Sequence, residues 1–548
     1  MSTLRYELIG ATISRATALT DTNIYNSLHK RFEFQKQTVL ADKILTNDEK
    51  TYAIRWITKS YDRNKVMFND GTKRICENCK QECLATLYCE YCVRNYLKED
   101  FSNWTSGNDD IDNLIQKCQL ETTRPNVIVE WIPYSNLVDI KYLTKGGFSE
   151  IYTAGWIDGH YDEWDSEKKQ LTRRRNRGIV LKKLENVESA NKSWFDEAKS
   201  HLTISNKCPD VVQCFGLTQN PSNGNYMLVM MKMDIDLRKY LQQNHNQLTW
   251  KDRMYIIHKI TLALYHIHKE KAVHRDLHSG NILYSVLNNT WCVSDLGFCG
   301  PADKSSTSIY GNLPYIAPEV IVGREYTFAS DIYSIAILMW EISSGQPPFI
   351  NYEHENDIVM NIINGIRPKI VPGTPLEYKN LMKECWDADP LKRPDYKTLW
   401  KKIHKIHLYY QNMSDELFKS EMDNLEINKV EENYTSSTSK IHNFGNLPEP
   451  RNVTEVFHSK LYDFNIPNNI DDFNKSNEQN SSKSSKVITI FRDSNKKLSK
   501  LFKKLQIKSN NDEKEKTQKY VDDDDEVYNN PNFHSKEQDE LEIPDDGF

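Results

Sequence analysis

The spacing of apolar positions divides the chain into regions of different texture. The run Thr46–Thr58 (TNDEKTYAIRWIT) carries apolar residues at helical spacing. Thr46 stands before it as an N-cap with Glu49 three residues on, the pattern of a capping box, so a helix is predicted there. Residues 93–130 read as polar helices (YLKEDFSNW, IDNLIQKCQL). Near Trp131 the period shortens, and strands are predicted at Val138–Leu143, Glu150–Ile157, Gly178–Leu184, Val211–Phe215 and Tyr226–Lys232. Helical patterns then hold from Asp236 to about Tyr410. Strands first and helices after predict an α+β fold with a β-rich lobe and a helical lobe. Beyond this the apolar residues thin out among Asn, Ser, Asp, Glu and Lys. The expected organisation is a mixed helical segment over 1–70, a Cys-rich segment with a helix over 71–130 and a bilobal domain over 131–408. A mostly disordered tail over 409–548 completes it, interrupted by one basic amphipathic stretch at 495–508.

Composition narrows the function. The 548 residues are 38% hydrophobic and 27% charged, with a mean hydropathy of −0.69, too polar for one globule throughout. That length leaves room for two or three domains. A net charge of −6 argues against a dedicated nucleic-acid binder, which would be basic. No run approaches the apolar length of a membrane span. The first twenty residues lack a basic stretch followed by an apolar one, so no secretory signal is expected and the location is read as cytoplasmic, with the nucleus as the alternative. In that reducing setting the eleven cysteines suggest metal ligands or free thiols rather than disulfides.

Five of those cysteines crowd into one stretch. Cys76 and Cys79 form one C-x-x-C knuckle, and Cys89 and Cys92 form a second, nine residues further on. Two such knuckles complete a tetrahedral Zn²⁺ site. The alternatives are buried thiols or a redox pair, and Cys83 is spare. A basic run, Arg173-Arg174-Arg175-Asn176-Arg177, reads as a docking or nuclear-import patch or as a solvated hairpin tip. Within 495–508, Leu498, Leu501, Phe502 and Leu505 would form one apolar stripe on a helix flanked by lysines. That stripe fits an anionic membrane surface, a partner's groove, the acidic run Asp522–Glu526 of the same tail, or a transient helix in solvent.

Other residues carry phosphate and metal chemistry. Thr144-Lys145-Gly146-Gly147-Phe148-Ser149 lies between two predicted strands and supplies small residues where backbone N–H groups would approach phosphates, although an ordinary hairpin turn would look the same. Lys182 ends an apolar strand, and Glu197 follows fifteen residues later on a helical pattern, an anionic partner for a lysine that would otherwise sit at the surface. His274-Arg275-Asp276-Leu277-His278-Ser279-Gly280-Asn281 lies between a helix and a strand. Asp295-Leu296-Gly297 begins fourteen residues beyond Asn281, and Ala317-Pro318-Glu319 follows. Two aspartates and an asparagine on loops offer hard oxygen ligands for Mg²⁺ and a carboxylate to orient a hydroxyl.

This set resembles a eukaryotic protein kinase over about residues 131–408. Ser330-Asp331-Ile332-Tyr333-Ser334 resembles the start of that family's buried C-lobe helix. Cys385-Trp386-Asp387-Ala388-Asp389-Pro390-Leu391-Lys392-Arg393-Pro394 resembles the run shared by tyrosine and tyrosine-kinase-like kinases. The wording from His274 to Leu283, with the cysteine cluster before it, is similar to the expanded tyrosine-kinase-like family of mycorrhizal fungi. The resemblance implies an ATP- and Mg²⁺-dependent kinase acting on protein substrates in intracellular signalling, with a catalytically inactive binding scaffold as the alternative. By that resemblance Asp276 would take the acceptor proton, and Lys182, fixed by Glu197, would hold the ATP phosphates. Asn281 and Asp295 would hold Mg²⁺. The loop from Thr144 to Ser149 would cover the phosphates, and Ile151 and Val180 would pack the adenine. Met230 would precede a hinge at Met231–Met233, Asp331 would brace the catalytic loop, and Arg393 would pair with Glu319. Arg275 implies an activation loop ordered by phosphorylation, with Ser305, Ser306, Thr307, Ser308 and Tyr310 as candidate acceptors. The departures are the two missing loop glycines, Leu296 in place of phenylalanine, His278 where serine/threonine kinases carry lysine, and Asn312 where they carry threonine. The frame from Gly311 to Glu319 leans towards serine/threonine specificity.

Overall fold

The computed structural model describes residues 4–21, 24–146, 149–185, 193–286, 288–301, 309–352, 354–412, 439–445 and 447–452. The stretch 495–508 and the candidate acceptors Ser305, Ser306, Thr307 and Ser308 lie outside them. Among the described residues, no helix is long and apolar enough to cross a membrane.

Helices α1 (Tyr6–Ala18), α2 (Leu28–Leu40) and α3 (Asn47–Phe68) come first. The capping box at Thr46 forms: the Glu49 N–H donates to Thr46 Oγ1, and the Thr46 N–H donates to the Glu49 carboxylate. Helix α3 continues past the expected end because Ala53, Ile57, Tyr61 and Lys65, four residues apart, extend its buried face. Strands β1 (Arg74–Ile75) and β2 (Glu82–Cys83) pair around the first cysteine knuckle. Helix α4 (Glu90–Glu99) starts directly after Cys89. Helix α5 (Asp109–Leu120) follows, capped by Asn108.

A sheet of six strands comes next. It is built from β3 (Glu130–Trp131), β4 (Leu137–Lys145), β5 (Glu150–Trp156), β8 (Arg177–Lys183), β9 (Cys214–Gln219) and β10 (Tyr226–Met231), in the order β3-β9-β10-β8-β5-β4. Between β5 and β8 the hairpin β6 (His160–Asp165) and β7 (Gln170–Arg174) stands apart from this sheet. Both faces of the sheet are buried. Met227 and Val229 of β10 join Ile179 and Leu181 on one side, while Leu228 and Met230 join Ala198 and Leu202 of helix α6 (Trp194–Lys207) on the other. The ninth strand begins three residues later than the expected Val211–Phe215. Val211 and Val212 are buried for a different reason: the Val212 N–H donates to the Val293 carbonyl, and the Val293 N–H donates to that of Asp210, which ties this loop to the second lobe.

The second lobe contains β11 (Ile235–Asp236), α7 (Leu237–Asn244), α8 (Trp250–Lys269), β12 (Ala272–Val273), β13 (Ile282–Ser285), β14 (Thr290–Val293), β15 (Gly300–Pro301) and β16 (Ile309–Gly311). It continues with α9 (Pro318–Ile321), α10 (Phe328–Ser344), α11 (Glu355–Ile363), α12 (Leu376–Cys385) and α13 (Tyr396–Asn412). Helix α10 is buried from Ser330 to Ser343 and forms the centre of this lobe, as a helix apolar on all sides must.

Two expectations change. The basic run does not occupy a hairpin tip, which lies at residues 166–169. It lies at the base of the hairpin, where Arg173 is ion-paired with Glu130 and stacks 3.8 Å above the Tyr161 ring. The charge of Arg173 is thus spent inside the fold, while Arg174 and Arg175 are exposed. The region assigned to a disordered tail also contains an ordered segment: residues 440–442 form strand β17 (Lys440–His442), antiparallel to β16, with Ile441, Phe444 and Leu447 packed on the second lobe. The polar composition around these three apolar residues conceals them.

Candidate active site

The site forms where the two lobes face each other. In β8, Lys182 sits beside Leu228 of β10 and Ile151 of β5 in the strand register, on the face opposite Leu181. Period-two alternation therefore sends Lys182 and Val180 to the α6 side. There the Lys182 ammonium lies 2.8 Å from Glu197 Oε1 and 2.5 Å from Asp295 Oδ1. Burial alone would lower the lysine, but Asp295 and then Glu197 hold it above its ordinary value. Helix α6 places Glu197 in its first turn behind the Ser193 cap, and His201 one turn later accepts the Leu296 N–H at 3.2 Å. His201, unmarked in the sequence reading, thus fastens the Asp295-Leu296-Gly297 triplet to α6.

The loop after β12 is held from below by Asp331, at the start of α10. Its carboxylate accepts the N–H groups of His274 (2.8 Å) and Arg275 (2.9 Å) and lies 2.8 Å from His268 Nε2. Arg275 has φ +69°, a left-handed conformation that costs a non-glycine residue about 1–2 kcal/mol, and the buried carboxylate offsets that cost. Asn281 donates its side-chain amide to the Asp276 carbonyl at 2.9 Å, which leaves its amide oxygen to serve as a hard ligand. Asp276 is pushed up to about 6, chiefly by burial and then by Asp295, against the Ser439 hydroxyl and the Asn312 N–H. His278 is pushed down to about 3 by burial and by Arg238, so its ring is neutral at pH 7. Gly311, at φ +124°, passes so close that a Cβ would stand 3.2 Å from Asp276 Oδ1.

Beneath the loop lies a buried polar network that the sequence reading missed. Ser279 donates to Glu341 at 2.8 Å, Tyr315 donates to the same carboxylate, and Arg238 lies 3.2 Å from both hydroxyls. No motif spacing signals it, because its members come from α7, the loop, the segment before α9 and α10. Arg393 makes the expected pair with Glu319, two contacts of 2.7 Å with both side chains buried.

The remaining assigned residues lie on the strands of the first lobe or directly beside them. Thr144 pairs with Ile151 and Lys145 with Glu150, and the Gly146 N–H donates to the Ser149 carbonyl, closing the turn. Gly147 and Phe148 lie outside the described residues. Met230 is buried opposite Val180, and Met231 and Met233 pack against the α6-side cluster. Tyr310 is not an accessible acceptor: it is 1% exposed, with its ring stacked between Phe298 (4.0 Å) and Tyr326 (5.0 Å).

Residues 137–403 match the family described as protein tyrosine and serine/threonine kinase. The chain carries a protein kinase domain. The relatives of this domain include a probable serine/threonine-protein kinase, roco5, of Dictyostelium discoideum, 29% identical over 52% of this chain and 10% of that protein. They include the dual specificity protein kinase zakA of the same organism, 30% identical over 39% of this chain and 30% of that protein. A human dual serine/threonine and tyrosine protein kinase is 34% identical over 31% of this chain and 18% of that protein. The chain thus matches less than a third of the length of each of these curated relatives.

A second candidate site precedes the kinase domain. The Sγ atoms of Cys76, Cys79, Cys89 and Cys92 all lie within 4.8 Å of one another, with Cys76–Cys92 at 3.6 Å and Cys79–Cys89 at 3.5 Å. Zn–S bonds of about 2.3 Å put tetrahedral sulfurs about 3.8 Å apart, so the four thiols fit the ion. Burial works against a Cys76 thiolate, but the N–H groups of Cys79 and Asn78 bring it down to about 6. Cys83 is buried beside the cluster.

Proposed function

We propose that the chain is an ATP-dependent protein kinase that transfers the γ-phosphoryl group to a protein hydroxyl, with serine or threonine favoured. The observation that carries this reading is the Lys182 ammonium held between Glu197 and Asp295, with Asp276 on the loop braced by Asp331. Phosphoryl transfer needs positioning and charge neutralisation, and this arrangement supplies both. Lys182 would hold the α- and β-phosphates, and Asn281 and Asp295 would hold Mg²⁺, which neutralises phosphate charge when bound. Asp276 would orient the acceptor and take its proton. The frame from Gly311 to Glu319 favours serine/threonine, and the relative named as a probable serine/threonine-protein kinase supports that reading, while those named as dual-specificity kinases leave tyrosine possible. Membership of the expanded tyrosine-kinase-like group rests on the wording from His274 to Leu283 and the Cys76–Cys92 cluster. Protein substrates are the proposed partners, and a cytoplasmic location is proposed from the eleven cysteines, all of them free thiols.

We also propose that Cys76, Cys79, Cys89 and Cys92 hold a structural Zn²⁺. Helix α4 begins at this cluster, Arg94 donates to the Thr122 carbonyl beyond α5, and α5 buries Ile111, Ile115 and Cys118 against α6, which carries Glu197. The metal site would thereby help set α6. Thermal shift tests the nucleotide reading: Mg-ATP should stabilise the protein more than ATP with chelator, and no shift at millimolar Mg-ATP would favour the scaffold alternative.

A further inference from the structure

The most informative contact outside the site's own loops comes from far along the chain. Ser439 is buried, with its Oγ 2.9 Å from Asp276 Oδ1 and 3.1 Å from His278 Nε2. His278 Nδ1 accepts the Gly280 N–H at 3.1 Å, which places the ring proton on Nε2. The chain of donors is then ordered: His278 donates to Ser439 Oγ, and Ser439 donates its hydroxyl proton to Asp276. One lone pair of the hydroxyl remains for a phosphorus atom.

The segment behind Ser439 is seated along its length. Strand β17 pairs antiparallel with β16, with Lys440 opposite Gly311, Ile441 opposite Tyr310 and His442 opposite Ile309. His442 Nε2 lies 3.0 Å from the Gly311 carbonyl, and Lys440 is ion-paired with Glu355 of α11. Further on, Arg324 pairs with Glu449 at 2.5 Å. The Arg451 N–H donates to the Ile363 carbonyl at 3.0 Å, and Asn452 accepts the Ala388 N–H at 2.9 Å. Residues 413–438, 26 in number, join α13 to Ser439. At up to about 3.3–3.6 Å each they reach well beyond a domain of this size, so the tether permits the contact within one chain.

We propose that Ser439 is the domain's own acceptor in cis: residues 439–445 occupy the acceptor groove, and the Ser439 hydroxyl is phosphorylated by the site that holds it. The inference rests on the kinase reading above and adds the identity of an acceptor. In the step, Ser439 Oγ bonds to the γ-phosphorus of ATP as the bond from that phosphorus to the β–γ bridging oxygen breaks. ADP leaves with that electron pair, and the hydroxyl proton passes to Asp276. The product places a phosphate dianion beside Asp276 and near Asp295, and like charges repel at this range. Phosphorylation therefore expels the segment that blocks the groove and opens it to other protein substrates.

The test uses the full chain, dephosphorylated, with labelled Mg-ATP and casein as an added acceptor, and phosphopeptides are identified by mass spectrometry. The expected result is phosphate on Ser439 at a rate constant independent of protein concentration. Ile441→Glu, which breaks the seat of β17 without touching the catalytic loop, should lower Ser439 labelling about tenfold or more while casein labelling is undiminished, because the acceptor loses its held geometry. Casein labelled with Ser439 unlabelled would overturn the inference, as would Ser439 labelling that scales with protein concentration or survives Ile441→Glu unchanged. Label on neither acceptor would overturn the kinase reading itself, and this inference with it.

Discussion

Replacing Arg393 by alanine tests whether the buried pair with Glu319 anchors the segment that runs past Asp276. The Arg393 side chain is fully buried and Glu319 nearly so. The guanidinium also donates to the carbonyls of Asp387 (2.9 Å) and Ala329 (2.8 Å) and stacks over Tyr333 at 5.3 Å. Truncation removes every one of these contacts and leaves the Glu319 carboxylate buried and uncompensated, which costs about 3–5 kcal/mol. Against a total stability of about 5–15 kcal/mol that is a large fraction. With a urea slope of about 3 kcal/mol per molar, the midpoint of the kinase domain should fall by about 1–2 M. The double variant Arg393→Met with Glu319→Leu should recover much of the loss, because removing both charges removes the uncompensated one. A midpoint for Arg393→Ala within the error of wild type would refute the reasoning. So would a double variant as unstable as the sum of the two single changes, since that would deny that the orphaned charge is the source of the cost.

Three further outcomes are expected. Lys182→Ala should abolish turnover and the stabilisation by Mg-ATP, since Glu197 and Asp295 lose the cation between them; retained turnover in the purified variant would exclude its assigned role. Native mass spectrometry should show one Zn²⁺ per chain, and Cys92→Ser should release it and lower phosphotransfer through α4, α5 and α6, because folding of such knuckles is coupled to the metal; a metal-free chain of unchanged activity would favour buried thiols. Acid should destabilise the fold: burial and the neighbouring His407 and His404 hold His258 down to about 2, and burial and Arg177 hold His160 down to about 3. The unfolded chain takes up these protons first, so stability is full above about pH 6.5 and falls below it, by at most about 1.4 kcal/mol per pH unit for each ring; urea midpoints equal at pH 7 and pH 5 would contradict this.

What the sequence disclosed depended on how local the signal was. Asp276, Asn281 and Asp295 were legible because three loop residues at fixed separations need no tertiary information, and the Thr46–Glu49 box because its two partners are one helical turn apart. Lys182 and Glu197 were legible as a pair only through the charge that a buried lysine demands. The strand at Cys214–Gln219 was misplaced because Val211 and Val212 are apolar for the sake of the second lobe, and a short apolar run carries no mark of which partner buries it. Arg173 looked like a surface charge because its partner Glu130 lies 43 residues away in sequence. The Arg238–Ser279–Tyr315–Glu341 network and the return of Ser439 to Asp276 are contacts between distant segments. In the tail, three apolar residues among polar ones gave no periodicity to read, yet they suffice to seat a segment that also gains a strand pairing.

Phosphotransfer is tested most directly by transfer of labelled γ-phosphate from Mg-ATP to protein by the purified 548-residue chain, beside Asp276→Asn, followed by phosphoamino-acid analysis. Labelled phosphoserine or phosphothreonine is expected for the wild-type protein, and a turnover about 10²–10⁴-fold lower for Asp276→Asn with its thermal stability retained, the loss typical of a missing general base. Equal labelling by wild type and Asp276→Asn, or none by either, would contradict this.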